Sequence, residues 1–250
     1  SDENSQTLTF ALTNNNNSLF SVQPTLATDG TGALTYTPAL NQHGTATVTS
    51  TLTDNGNASP PPNDNTVSET FTITVDPVND APVLTTSGGF LTNPSGNNFT
   101  ARDSFTTILE DPATNNGDAV STFLNAAAAT DVELGAGNQG GTISGTFATG
   151  VAITSVDNTN GEWQFSTDGG TTFTDFDAAT AVSANFSRLL DGGNPGHRIR
   201  FVPNDDFNTS ASGPVQITYR AWDGSVGTVG NEVSTTTNGG SSAFSLGEVT

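Results

Sequence analysis

The chain contains no cysteine, no lysine and no methionine. Without cysteine, a disulfide framework, a thiolate zinc site and a cysteine nucleophile are all excluded. Without lysine, Schiff-base chemistry, a P-loop and lysine–asparagine isopeptide cross-links are excluded as well. The missing methionine, which includes an initiator, predicts a processed product or a piece of a longer chain.

Long apolar runs are also missing. No stretch approaches the roughly 20 apolar residues that a transmembrane helix requires. No basic region followed by an apolar one predicts a signal peptide. We therefore expect no membrane insertion.

Positive charge is scarce. The 250 residues carry 5 basic side chains, all arginine, against 25 carboxylates, for a formal net charge of −20. Nucleic acid and anionic membrane surfaces would repel such a chain, and cations would be attracted to it. Charged residues nevertheless make up only 12% of the sequence, and Phe, Val, Ile and Leu recur in short periodic runs that a disordered acidic tail lacks. The sequence predicts a folded protein.

Apolar and polar side chains alternate over short stretches, as they do in half-buried β-strands. Threonine fits a pleated sheet, and the abundant asparagine and glycine supply turns. We predict an all-β protein of two antiparallel Ig/cadherin-like β-sandwich domains in tandem. The predicted strands are residues 8–12, 34–36, 46–52, 71–75, 104–109, 141–147, 151–156, 162–165, 197–202 and 215–222.

A proline-containing segment, Pro77-Val78-Asn79-Asp80-Ala81-Pro82, separates two groups of predicted strands. Its two prolines fix the backbone φ angle and forbid a helix. The segment therefore predicts a short, stiff connector. We divide the chain into a first domain of residues 1–78 and a larger second domain of residues 79–250.

The two halves share an internal repeat. Leu34-Thr-Tyr36-Thr-Pro38 aligns with Ile199-Arg-Phe201-Val-Pro203. In both copies an asparagine-containing loop, a further strand and an acidic turn follow the proline. Repeated supersecondary units of this size indicate an array.

Several motifs carry a family resemblance. Residues 68–83 (SETFTITVDPVNDAPV), together with 6–10 (QTLTF), 14–20 (NNNNSLF) and 36–38 (YTP), closely resemble the cadherin-like tandem repeats of large bacterial surface adhesins, including RTX-type adhesins. The second half resembles a sister repeat through residues 161–170 (GEWQFSTDGG), 198–203 (RIRFVP) and 219–224 (YRAWDG).

The resemblance implies a function and a location. We expect a non-catalytic, calcium-stiffened spacer in a bacterial cell-surface adhesin or an extracellular fibre or matrix, with adjacent repeats as its partners. By comparison with such repeats, the first domain is expected to lack its opening strand and the second to lack the linker that follows it.

Calcium is the expected cofactor. Hard cations bind about six to eight oxygens from carboxylates, asparagine side chains and backbone carbonyls, and the chain offers little that is softer. The connector supplies Asp76, Asn79 and Asp80. The resemblance to cadherin-like repeats adds Glu110, Asp111, Asp131, Glu133 and Asp223. In the alternative interpretation, the connector is simply a turn and these carboxylates are solvated loop charges.

Two alternative functions remain open from the sequence. If both ends of the chain leave sheet edges exposed, strand exchange with neighbouring copies would make it a polymerising fibre subunit. If the strands bearing Arg198, Arg200, Arg220 and Trp222 are neighbours, their outer face forms either a structural ladder, which we favour, or a site for surface glycans.

Catalytic motifs are weak. His43 and His197 have neither a His-Glu-x-x-His spacing nor a Gly-x-Ser-x-Gly elbow beside them. Asp205 and Asp206 are adjacent, and on a strand they would point to opposite faces. Trp163 and Phe165 fit a core better than a sugar-binding platform. We do not expect an enzyme.

Overall fold

The computed structural model describes residues 7–27, 31–54, 66–84, 91–92, 98–99, 105–109, 114–123, 129–131, 150–178, 180–207 and 215–250. Within them the chain is almost entirely β, and every strand pair is antiparallel. The described residues fall into two compact units that divide between Val78 and Asn79. That each unit is a cadherin-like repeat stays a prediction.

The first unit contains two sheets. Its strands are Leu8–Asn14 (β1), Phe20–Leu26 (β2), Leu34–Pro38 (β3), Gly44–Asp54 (β4) and Thr66–Val75 (β5), with a 3-10 turn at Asn17–Leu19. One sheet has the order β1-β4-β5 and the other is the hairpin β2-β3. Strict alternation on β4 explains its placement, because Ala46 and Val48 are fully buried while the neighbouring Thr45 and Thr47 are exposed. Leu19 and Phe20 pack onto these two residues and Ile73.

The second unit is built on two four-stranded sheets. Its elements are Val83–Leu84 (β6), Leu91–Thr92 (β7), Asn98–Phe99 (β8), Asp118–Ala119 (β9), the single helical turn Val120–Phe123 (α1), Ala129–Thr130 (β10), Gly150–Val156 (β11), Gly161–Ser166 (β12), Thr174–Asp175 (β13), Phe186–Asp191 (β14), Arg198–Pro203 (β15), Ile217–Trp222 (β16) and Glu232–Ser234 (β17). The sheet orders are β16-β11-β14-β17 and β13-β12-β15-β9, with short pairs β6-β10 and β7-β8 beside them.

The two four-stranded sheets share one apolar core. Val151, Ile153 and Tyr219 project into it from one sheet, and Trp163 and Ile199 from the other. Trp163 is 2% exposed and Phe165 is 7% exposed. The prediction that these two aromatic residues belong to the core is confirmed.

A second apolar layer covers the outer face of the sheet that contains β16. Ala152, Leu189 and Trp222 point to this face and are buried beneath Ala243 and Phe244. The final segment runs beside β16, with bridges from Trp222 to Phe244 and from Tyr219 to Val249. β14 is therefore buried on both faces, with Leu189 in this layer and Leu190 in the main core.

Most of the predicted strands that fall on described residues are confirmed. Residues 8–12, 34–36, 46–52 and 71–75 lie in β1, β3, β4 and β5, and residues 151–156, 162–165, 197–202 and 215–222 correspond to β11, β12, β15 and β16. Ser104 and residues 141–147 lie outside the described residues. The sequence did not predict β2, which contains Pro24, or β14, whose burial on both faces removes the alternation.

The strand predicted at residues 104–109 is wrong over its described part, because residues 105–109 do not form a strand. The Asp118 carboxylate accepts hydrogen bonds from the backbone N–H and the hydroxyl of Thr106. Phe105 packs against Trp163 in a tilted arrangement, with ring centroids 4.9 Å apart. The Asp118 side chain therefore serves as the acceptor for the backbone N–H of Thr106.

The internal repeat is visible in the backbone. Asn41 and Asp206, each three residues after the aligned proline, have φ angles of 56° and 60° and are the non-glycine residues of positive φ among those described. In each copy the next residue closes the same turn, Gln42 N–H to Ala39 O and Phe207 N–H to Asn204 O, at 3.1 Å in both. In each copy the strand before the turn and the strand after it belong to different sheets.

Candidate cation site at the end of strand β16

Asp223 lies directly after β16 and is 8% exposed. Its backbone N–H donates to the carbonyl of Ala243 at 3.1 Å, which fixes the residue beside the final segment. Its Oδ1 accepts from the backbone N–H of Ser225 at 2.7 Å. The turn therefore fixes the orientation of the carboxylate, and with it the position of the second oxygen, Oδ2.

Asn79 lies next to Asp223 Oδ2. Its amide nitrogen donates to Asp223 Oδ2 at 2.9 Å and to the Ser242 carbonyl at 3.2 Å. Two residues later, the Ala81 N–H donates to the Gly240 carbonyl at 2.7 Å. We call these hydrogen bonds, from Asn79 and Ala81 to Asp223, Ser242 and Gly240, the linker clasp. It attaches the start of the second unit to the turn after β16 and to the final segment.

Asp131 is a further buried carboxylate, with 3% exposure. It follows β10, whose Thr130 pairs with Val83 of β6, so it continues the chain toward the side where Pro82 and Asp80 precede β6. β6 in turn lies against β16. A carboxylate is costly to bury unless hydrogen bonds or a cation compensate its charge. For Asp223, the hydrogen bonds from Asn79 and Ser225 to its two oxygens supply such compensation.

The predicted ligand set is brought together only in part. Asn79 and Asp223 are in direct contact, and Asp80 is half-buried next to Asn79. Asp76 is exposed at the end of the first unit, after β5. Glu110, Asp111 and Glu133 lie outside the described residues, so their place in the predicted site stays a prediction.

The donor chemistry fits a hard cation. The groups around the linker clasp are carboxylate oxygens, the Asn79 amide and the carbonyls of Ser242 and Gly240, and calcium binds each of these oxygen types. Across the described part of the chain, no group of three or more histidine or acidic side chains converges closely enough to hold a metal. An ion here would therefore use the asparagine and backbone oxygens as well as the carboxylates.

The sequence did not predict the contributions of Ser242, Gly240 and Ser225. Each acts through a backbone carbonyl or N–H, which any residue type carries. The only sequence signal was the turn chemistry of residues 239–242, where two glycines precede two serines. Gly239 and Gly240 have φ angles of 69° and 60°, a conformation that favours glycine.

Arg198 and Arg200 make structural contacts within the second unit. Arg198 donates to the carbonyls of Asn116 and Gly117, both at 2.6 Å. Arg200 donates to Gln164 Oε1 at 2.7 Å and its guanidinium lies 3.7 Å from the centre of the Phe173 ring. The Arg198 hydrogen bonds attach the segment before β9 to the sheet.

The cross-strand ladder considered from the sequence does not form. Arg198 and Arg200 lie on β15, whereas Arg220 and Trp222 lie on β16 of the other sheet. Trp222 is 3% exposed beneath the final segment. The glycan site considered from the sequence required these residues on one face. Their two strands are not neighbours, so the residues do not share a face.

His197 is buried and accepts a hydrogen bond at Nδ1 from the backbone N–H of Asp191 at 2.8 Å. Burial lowers the pKa of His197, and the nearby Asp191 carboxylate opposes this effect. The ring is thus held neutral within the turn between β14 and β15. His43 lies in the first unit just before β4.

Comparisons of the chain with protein-family models, with curated proteins and with solved structures gave no match. Among the helices that the structure describes, none has the length and apolar character needed to cross a bilayer.

Proposed function

We propose that the protein is a calcium-stiffened structural spacer, composed of cadherin-like β-sandwich repeats, in a bacterial cell-surface adhesin or an extracellular fibre. The observation that carries this proposal is the linker clasp. It joins Asn79, from the motif that resembles a cadherin-like connector, to the buried carboxylate of Asp223. The division of the chain into two compact units beside this motif is what a tandem array requires.

Three further observations support the proposal. All strand pairs described are antiparallel, as in β-sandwich repeats. The formal charge of −20 favours cations as partners. The aligned turns at Asn41 and Asp206 have the same backbone conformation and hydrogen bond, as expected of duplicated units.

Calcium would act on the stability and stiffness of the connector. Asp223, Asn79 and the backbone carbonyls of Gly240 and Ser242 are the described groups that would hold it. Without a cation, we expect the carboxylates of the predicted site to repel one another and the connector to be freer to move. Extracellular calcium modules bind at roughly 10⁻⁴ to 10⁻³ M. A ligand at about one hundred times its dissociation constant stabilises the folded state by about 2.7 kcal/mol.

Thermal unfolding in EDTA and in calcium tests the proposal. For a unit of this size about 1 kcal/mol shifts the midpoint by roughly 2–4 °C. We therefore expect calcium to raise the unfolding temperature of the second unit by several degrees and magnesium to raise it less. Asp223→Asn should abolish most of the calcium effect. Asp205→Asn, at an exposed position, is the matched control and should keep it.

X-ray scattering tests the mechanical part. When millimolar calcium replaces EDTA, we expect the maximum dimension of the chain to increase and the distribution of chain dimensions to narrow. Identical scattering in the two buffers, together with an unchanged unfolding temperature, would reject the calcium-stiffened spacer.

A further inference from the structure

One end of the three-stranded sheet of the first unit exposes an apolar surface. Phe10 lies opposite Leu52, and Leu52 lies opposite Val67, so these three residues form one row across β1, β4 and β5. Phe10 is 55% exposed and Val67 is 54% exposed, and Leu8, two residues before Phe10, is 60% exposed. We call Leu8, Phe10, Leu52 and Val67 the apolar row.

The apolar row is on the core face of the sheet. On β4, Leu52 points to the same side as Ala46 and Val48, because side chains two residues apart share a face. Ala46 and Val48 are fully buried under Leu19 and Phe20. The segment from Leu19 to Phe20 thus covers one end of this face and leaves the other end in solvent. Large apolar side chains in such a contiguous exposed group mark an interaction surface.

Two carboxylates on the same face flank the apolar row. Asp54 lies opposite Leu8, and Glu69, two residues after Val67, lies opposite Ser50. Asp54 and Ser50 are each two residues from Leu52 on β4. A strand rises about 3.3 Å per residue, so the two carboxylates are about 13 Å apart along the strand direction.

The charge of the first unit determines what can bind here. Residues 1–78 contain no lysine or arginine, and their carboxylates are Asp2, Glu3, Asp29, Asp54, Asp64, Glu69 and Asp76. A second copy of this unit would therefore bring like charge to like charge. The arginines described in the second unit are already engaged. Arg188 pairs with Glu232 and Arg220 with Glu248, while Arg198 and Arg200 bind backbone carbonyls.

We propose that the apolar row binds an extended, positively charged segment of a partner protein. Along one face of that segment, a large apolar side chain lies between two basic ones, at positions i, i+2 and i+4. The apolar side chain packs on Phe10, Leu52 and Val67. The basic side chains, about 13 Å apart in an extended strand, reach Asp54 and Glu69. Burial of apolar area provides the attraction, and the charges select the partner.

A peptide titration on the full 250-residue chain tests the proposal. The probe is Ser-Lys-Thr-Leu-Thr-Lys-Ser, capped at both ends, and binding is followed by NMR chemical shifts. We expect saturable shifts at Leu8, Phe10, Leu52 and Val67 that weaken at least tenfold when salt is raised from low to about 1 M, where the screening length is about 3 Å. A Glu-Thr-Leu-Thr-Glu probe and a Lys-Thr-Thr-Thr-Lys probe should bind at least tenfold more weakly.

Variants of the row provide the control. Phe10→Thr and Val67→Thr should each weaken binding at least fivefold while leaving the unfolding temperature nearly unchanged, because both side chains are already exposed. Leu40→Thr changes an 87% exposed leucine of the same unit that is outside the row, and it should leave binding unchanged. Binding that survives Phe10→Thr, no binding of the basic probe, or a dimer that Phe10→Thr dissociates would each overturn the proposal.

Discussion

The side-chain amide of Asn79 donates a hydrogen bond to Oδ2 of Asp223 across 2.9 Å, although the two residues are separated by almost the whole second unit. The contact joins the residue that begins the unit to the turn that follows β16. It also provides the most direct means of testing whether charge or hydrogen bonding organises this end of the unit.

Asn79→Asp places a second carboxylate next to Asp223. In EDTA we expect the variant to lower the unfolding temperature of the second unit, because a donor is lost and two like charges are brought together in a partly buried place. If a cation binds there, millimolar calcium should recover most or all of the loss. Calcium-dependent unfolding curves measure both effects. Asn17→Asp, on the exposed turn of the first unit, is the control.

A variant that is equally destabilised in EDTA and in calcium would show that the amide acts as a hydrogen-bond donor only. It would count against Asn79 as a calcium ligand without affecting the role of the clasp in folding.

Arg220 should hold the final segment in place. It is 8% exposed, its Nη1 donates to the carbonyls of Ser245 and Leu246, and its Nη2 pairs with Glu248 at 3.1 Å. Removal of one partner of a buried ion pair typically costs about 3–5 kcal/mol. Because Glu248 is partly exposed, we expect Arg220→Met to cost less, about 2–3 kcal/mol.

Hydrogen exchange measures this effect locally. The amides of Ser245 and Val249, which bond to β16, should exchange faster in Arg220→Met, and those of β12 should change little. Arg220→Lys should restore part of the protection, since it keeps the charge but not the planar set of donors. Unchanged exchange at Ser245 would contradict the prediction.

The stability of the second unit should fall as the pH falls below about 7 because of His197. Burial lowers its pKa below the ordinary value of 6.5. As the pH falls through 6.5, the unfolded chain therefore takes up a proton that the folded chain does not, and the free energy of unfolding decreases. Protonation would also remove the acceptor of the Asp191 N–H.

His197→Asn tests this prediction, because the asparagine oxygen can accept the same hydrogen bond and does not titrate. Urea unfolding at several pH values should show a much flatter pH dependence for this variant. His43→Asn, in the other unit, should keep the response of the second unit. If the free energy of unfolding of His197→Asn still depended on pH as steeply as that of the unsubstituted protein, the pH dependence could not be assigned to His197.

A separate loss of stability is expected in stronger acid. Hydrogen bonds from the Thr172 hydroxyl and N–H, with a further bond from Ser166, lower the pKa of Asp168 from 3.8 to about 2. A lowered carboxyl pKa contributes stability that is complete above 3.8 and is lost as the pH falls toward 2. Asp168→Asn should remove this acid-range component, measured by urea unfolding between pH 4 and 2, and should leave the His197 component unchanged.

At Asn41 and Asp206, the residues of positive φ in the two aligned turns, we expect substitution by glycine to be tolerated and substitution by alanine to be destabilising. Non-glycine residues in this conformation are strained by about 1–2 kcal/mol, and asparagine and aspartate are the types that best accept it. We expect Asn41→Ala and Asp206→Ala each to destabilise its own unit by about 1 kcal/mol and the glycine variants to be close to neutral. Urea midpoints of the four variants measure this. Alanine variants as stable as the glycine variants would contradict the duplicated turn.

The sequence alone was enough to predict the β class and most of the strands that the structure describes. These features depend on local alternation. Ala46 and Val48 alternate with threonine, and proline at residues 77 and 82 interrupts the pattern, so neighbouring residues carry the information. The repeat of residues 34–38 and 199–203 was visible for the same reason, because a strand that ends in a proline and a turn requires particular residue types at fixed offsets.

Only the tertiary structure decided which distant residues meet. The sequence placed Arg200 and Trp222 on outer faces, but it could not show that their strands belong to different sheets or that the final segment covers Trp222. Nor could it show that the carbonyls of Gly240 and Ser242 lie beside Asn79, because backbone groups are the same in every residue. Alternation specifies which face a side chain occupies, whereas strand order and long-range packing decide what that face contacts.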